Sequence, residues 1–170
     1  MSAPEGWFVA SIAADLQSIP DYNTSVGSGI AGSQKIPTPL IVLNQGGFFD
    51  AATSIWTPPA GLVVMGSYAV WELESGATVP EGAYMSSKVR KNGSIFLPGP
   101  NGGAADDGEL DRILPPTSAA AASISGEIMD VANGTDFYEW FGAFFVAAGA
   151  LHRLQATGFR TRFWGIAFGA

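Results

Sequence analysis

The stretch Ala52-Thr53-Ser54-Ile55-Trp56-Thr57-Pro58-Pro59-Ala60-Gly61-Leu62-Val63-Val64-Met65 decides the fold. Its two prolines oppose a helix and, with Gly61, turn the chain into the apolar run 61–73, which suits a long strand. From 61 to 70 that run is apolar on both sides, as a strand reads when one face packs inside a sandwich and the other meets a neighbouring subunit. Residues 137–146 read the same way. The 22 glycines and 11 prolines cut the chain into short segments rich in Val, Ile, Phe, Trp and Tyr. They predict further strands at 7–13, 40–43, 47–49, 54–56, 84–91, 94–97, 123–131 and 162–168, about ten in all. In 123–131, Ile124, Gly126, Ile128 and Asp130 point one way and Ser125, Glu127, Met129 and Val131 the other. The apolar tail from Phe163 to Phe168 would be a sticky edge unless an interface buries it. The alanine run at 119–122 accommodates either one helical turn or the start of a strand.

The 170 residues form one domain with one core and no repeat. Hydrophobic residues make up 47%, aromatics 12% and charged residues only 14%, against roughly 25% charged in ordinary soluble domains. A chain so poor in charge has either an outsized core or a face buried against copies of itself or a partner, and association is the expectation. The net charge of −7, from 15 acidic and 8 basic residues, argues against nucleic-acid binding. The basic groups Lys88/Arg90/Lys91 and Arg153/Arg160/Arg162 read as solvated strand ends. Without cysteine there is no disulfide, thiolate nucleophile or cysteine zinc site. The first residues carry no basic region of a secretory signal, so synthesis in a cytoplasm is expected. The longest apolar run, 140–151, is too short to cross a bilayer. Glycosylation-like triplets at Asn23, Asn92 and Asn133 read as turns.

Catalytic constellations are weak. The sole histidine, His152, has no evident serine and carboxylate partners for a hydrolase triad and reads as a surface or interface residue. Asp106-Asp107-Gly108-Glu109-Leu110-Asp111 offers oxygen ligands, but its spacing matches no calcium loop; a solvated acidic loop is expected, with calcium binding left open. Carboxylate pairs such as Glu72/Glu74 or Asp136/Glu139 occur in almost any chain. The spelling Gly27-Ser28-Gly29-Ile30-Ala31-Gly32 resembles a dinucleotide fingerprint but lacks the required strand before and helix after. The expectation is a non-enzyme with no cofactor.

The order of landmarks resembles the globular heads of the tumour-necrosis-factor and complement-head family over nearly the whole chain. Phe8-Val9-Ala10 is similar to that family's first strand, and Ile36 to Asp50 to its second. The opening stretch, with alternating small and aromatic residues followed by Pro-x-x-Gly, resembles the family's strongest signature. Lys91-Asn92-Gly93 resembles its Lys-Asn-Gly hairpin, where a type I′ turn needs two positive φ angles. Residues Ala132 to Asp136 stand in for its Gly-Asp turn, and Thr161-Arg162-Phe163-Trp164-Gly165-Ile166-Ala167-Phe168 parallels its closing strand.

The resemblance implies an all-β, antiparallel ten-strand jelly-roll sandwich forming a homotrimer with aromatics along its three-fold axis. The interface candidates are Trp140, Phe144, Phe163, Trp164 and Phe168; Pro58, Gly61, Asn92 and Gly93 define turns. The animal members are secreted and stalked, while this sequence has neither signal nor stalk, so their receptor and complement functions are not carried over. A stalkless trimer suits a bacteriophage virion protein. The expected role is a capsid decoration, or cement, protein at three-fold positions, where three weak contacts add avidity. Its partner would be the major capsid protein, its location the virion surface, with no nucleic acid and no membrane. Capsid-contact candidates are an attachment arm at 1–6 with Met1, Ser2 and Pro4, the adjoining Trp7, and a long exposed loop at 98–116. The alternative is a tail- or head-fibre tip recognising a cell-surface glycan or protein. A metal-holding jelly-roll enzyme would need clustered histidines, which a single histidine excludes.

Overall fold

The computed structural model describes residues 4–11, 17–19, 22–23, 34–73, 84–93, 95–96, 109–113, 122–146, 152–154 and 161–169. These hold strands and turns but no helix. In chain order the strands are β1 (Pro4–Ser11), β2 (Gln17–Ile19), β3 (Tyr22–Asn23), β4 (Gln34–Lys35), β5 (Leu40–Gln45), β6 (Phe49–Asp50), β7 (Ile55–Trp56) and β8 (Gly61–Leu73). They continue with β9 (Tyr84–Lys91), β10 (Ile95–Phe96), β11 (Glu109–Ile113), β12 (Ala122–Ala132), β13 (Tyr138–Val146), β14 (His152–Leu154) and β15 (Arg162–Gly169).

Two sheets face each other. In the first, β8 is the hub. β12 runs along one edge of it, from Ala122 opposite Trp71 to Ala132 opposite Gly61. The other edge takes β15 along residues 61–68 and β14 near Leu73. Beyond β15 lie β1 and then the edge strand β5. The second sheet centres on β9 and β13, with β10 and β11 beside β9, and β3, β4 and β7 beside β13. Every pairing is antiparallel except that of the two-residue β3.

Aromatic rings fill the space between the sheets. Phe8 stacks on Phe49 at 4.6 Å and meets Trp56 and Phe163 at 5.0 and 5.1 Å between ring centres. Trp140 stacks on Phe163 at 6.1 Å, and Trp56 tilts against Tyr138 at 5.8 Å. Each such pair adds about 0.5–1.5 kcal/mol beyond the area it buries. The rings come this close because Gly165 has no side chain: a Cβ there would lie 2.6 Å from Phe8 and 2.7 Å from Trp56. Some polar atoms that enter the core find partners, as most buried groups do, whereas Trp56 Nε1 and Thr38 Oγ1 are buried without one. The Trp140 indole donates to Ser87 Oγ at 2.7 Å, and the Ser67 and Ser87 hydroxyls share a hydrogen bond.

Five expectations change here. Trp140 and Phe163, expected at a subunit interface, are 1% and 0% exposed within a single chain and belong to its own core. The two apolar sides of residues 137–146 need no neighbouring subunit over β13 as far as 142, because Tyr138 to Gly142 are buried within the chain. The arm expected at 1–6 is taken into β1 from Pro4 onward; Met1 and Ser2 lie outside the described residues. The loop expected at 98–116 contains β11, which pairs with β9; the remainder of 98–116 lies outside the described residues. Within the acidic run, Glu109 therefore stands opposite Lys88 and Asp111 opposite Ser87. At the Lys-Asn-Gly hairpin, Asn92 and Gly93 hold φ of 54° and 70°, as a type I′ pair would, but Ile95 returns opposite Lys91, so three residues rather than two close it.

Candidate interaction face

The outward side of the first sheet is the feature the core does not account for. On β15 the inward residues are Phe163, Gly165 and Ala167, all buried, which leaves Trp164, Ile166 and Phe168 pointing out and half-buried. The strand registers line these residues up in rows across the sheet. Phe168 stands beside Leu62, and Leu62 beside Val131. The next row reads Trp7, Ile166, Val64 and Met129. The third reads Val9, Trp164, Gly66 and Glu127, and beyond it Arg162, Tyr68 and Ser125 form a polar end row. Trp7 is 41% exposed, Leu62 44%, Met129 70% and Val131 68%. These residues fill two adjacent rows and, with half-buried Val9 and Trp164 in the third, form one apolar surface rather than the scattered singles that any protein shows.

Trp164 gives the surface its relief. A Cβ on Gly66 would lie 2.7 Å from both the Trp164 ring and the Gly126 carbonyl oxygen, so the indole lies across the bare backbone of β8. On one side is an open hollow of about 430 Å³ lined by Ser67, Tyr68, Ser125, Glu127 and Arg162. On the other is one of about 370 Å³ lined by Trp7, Val9, Arg162 and Ile166.

Charges lock the rim beside this face. Lys91 Nζ lies 2.8 Å from Asp130 and 3.0 Å from Asp136, and the Tyr138 hydroxyl donates to Asp130 at 2.8 Å. Asn92 Nδ2 donates to Asp136 at 2.7 Å, while the Phe137 amide donates to Asn92 Oδ1 at 2.9 Å. Because Asp130 turns inward to this cluster, its neighbours Met129 and Val131 must turn outward. Burial pushes the Asp130 carboxyl up, but hydrogen bonds from Lys91 and Tyr138 outweigh it and hold the group below its ordinary value. The hydrogen bond from Asn92 is the largest influence on Asp136 and, helped by that from Lys91, holds its carboxyl below the ordinary value against the opposing effect of burial. Burial, and then the bond to Asp130, raise Tyr138 well above its usual range.

A second ion cluster lies on the second sheet among the described residues. Glu139 lies 2.7 Å from Lys35 and 2.9 Å from Arg90, whose guanidinium covers the Phe141 ring at 4.1 Å. Burial raises the Glu139 carboxyl, yet these two cations hold it below its ordinary value. Among the described residues the exposed large apolar side chains all lie on the first sheet, with Leu40, Ile41 and Val42 on its edge strand β5.

Of the interface candidates, Trp164 and Phe168 lie on this face, and the Phe144 side chain falls outside the described residues. Trp7, expected as a capsid contact, sits mid-strand on the same face, and the Pro4 side chain is not among those described. Pro58 is buried, and Gly61 takes a φ of 138° at the start of β8. The alternation of residues 123–131 contained Met129 and Val131, but Leu62 and Val64 could be assigned to this face only once the registers were known. Among the described residues no group of three or more His, Asp or Glu could hold a metal ion.

No family model matches the sequence, and no curated protein is significantly similar to it. Solved structures are similar in fold. Murine APRIL aligns over 96% of this chain and 98% of its own, with a TM-score of 0.58 and 12% identity. The globular domain of zebrafish complement 1qA aligns over 96% of each chain, with a TM-score of 0.52 and 10% identity. Eiger TNF from S. frugiperda aligns over 99% of this chain and 96% of its own, with a TM-score of 0.54 and 8% identity. The chain therefore has the jelly-roll fold shared by tumour-necrosis-factor-like and complement 1q globular proteins.

Proposed function

We propose that the chain is a non-catalytic structural protein that assembles as a homotrimer through the outer face of the first sheet and decorates a bacteriophage capsid at three-fold positions. The observation that carries the reading is the apolar outer side of the first sheet, where Trp7, Leu62, Met129 and Val131 stand open to solvent in adjacent rows. In water such a face costs about 25 cal/mol for each Å² left uncovered, and a copy of the same chain is always present to cover it. The contact is cyclic rather than two-fold when different patches of the face meet, and a closed ring of three matches the symmetry of a capsid three-fold. Low charge and a net −7 fit a protein that binds protein surfaces rather than nucleic acid.

The capsid half of the reading is tested by adding purified protein to phage capsids stripped of decoration protein. Binding that saturates at three chains per three-fold position supports it. Failure to bind capsids, with binding instead to host cells or their surface glycans, contradicts it and favours a fibre tip.

A further inference from the structure

We infer that Glu127 of one protomer pairs with Arg162 of the next, and that this pair sets the angle at which the copies meet. The inference rests on the trimer proposed above. Glu127, Met129 and Val131 project outward from β12 at alternate positions, and Arg162, Trp164 and Ile166 do so from β15. Each strip is one charge followed by two apolar side chains, and the charges are opposite. β12 is an edge strand, paired within the described sheet only to β8, whereas β15 lies inside the sheet between β8 and β1. An edge can lie across a neighbour's sheet interior without asking the neighbour to do the same in return, and such a heterologous contact closes into a ring of three when its rotation is a third of a turn. Laid along each other in the same sense, the strips put Glu127 at Arg162, Met129 at Trp164 and Val131 at Ile166.

Within one chain the two charges are kept apart. Glu127 stands level with Trp164 across Gly66, while Arg162 is one row further on, opposite Tyr68. The hollow of about 430 Å³ lies between them, and the Arg162 guanidinium is 5.5 Å from the centre of the Tyr68 ring. Among the described residues, no ion pair involves either side chain. Both are exposed, so each is free to meet an opposite charge brought by a second copy. A matching pair mainly sets orientation and rejects wrong registers, because like charges placed together are strongly disfavoured.

The test is charge exchange. Glu127→Arg, Arg162→Glu and the double exchange are compared with the unaltered chain by sedimentation velocity over a concentration series, with circular dichroism to establish that each variant folds. Each single reversal should raise the concentration needed for trimer formation at least about tenfold, and the double exchange should bring it back to within about threefold of the original. If the unaltered chain is a trimer and the single reversals leave it so, or if the double exchange fails to restore what the singles lose, the pairing is wrong while the trimer stands. If the unaltered chain is a monomer, the trimer and the pairing both fall.

Discussion

Gly66 and Gly165 lie on opposite sides of the same two paired strands, and each makes room for an aromatic ring. At Gly165 a methyl group would meet the Phe8 and Trp56 rings of the packed core. Gly165→Ala is therefore expected to cost about 1–3 kcal/mol of folding stability, the usual range for overpacking, read from the midpoint of urea unfolding. At Gly66 the same methyl would meet both the Trp164 indole and the Gly126 carbonyl oxygen of β12. Gly66→Ala should thus strain the β8–β12 pairing as well as displace the indole, lowering the urea midpoint and weakening self-association together. The ion clusters predict a pH dependence. Asp130, Asp136 and Glu139 all titrate below their ordinary values in the fold. Each therefore binds its proton more readily when unfolded, so its stabilisation is present above the unfolded value, near 4, and is lost as pH falls through the lower folded value. The urea midpoint should stay level from about pH 7 to 5 and drop below about pH 4. None of these residue-level roles was legible beforehand, because a sequence does not say which ring will cross which glycine or which carboxylate a lysine will reach.

The long strands were legible in outline. Residues 61–73 and 84–91 run as β8 and β9 with the bounds their composition suggested, β13 and β15 differ from expectation by a residue at one end, and β12 by a residue at each end. These segments are β-branched and aromatic between glycines and prolines, so local preference and tertiary pairing agree. The strands that went unread are those where local preference is silent. β3 and β4 have two residues and β2 and β14 three, too few to show alternation, and β11 reads Glu-Leu-Asp-Arg-Ile, with two residues that strands disfavour. Trp140 and Phe163 were misplaced for a related reason: a run apolar on both sides does not reveal whether its second side is covered by its own chain or by another. For β13 the cover is the chain's own Arg90 and Lys35; for β8 and β12 the second side stays open. That difference predicts a separable phenotype. Met129→Lys with Val131→Lys should change folding stability by less than about 1 kcal/mol, because both side chains are exposed. It should nevertheless convert the assembled species to monomer in gel filtration, by placing charge on the docking strip.

For the whole molecule, the sparse charge and the one open apolar face are the same observation at two scales. A chain with 14% charged residues has few to place on its surface, and the described ion pairs gather at the Lys91 rim and over the second sheet, leaving the outer side of the first sheet apolar. Composition led to the expectation of association, and the strand registers align the exposed apolar residues through which the proposed trimer would form. The most direct test is the molar mass of the purified protein in solution, measured by multi-angle light scattering at micromolar concentration. The account predicts a single species at three times the 17.6 kDa chain mass, and a species at 17.6 kDa itself would contradict it.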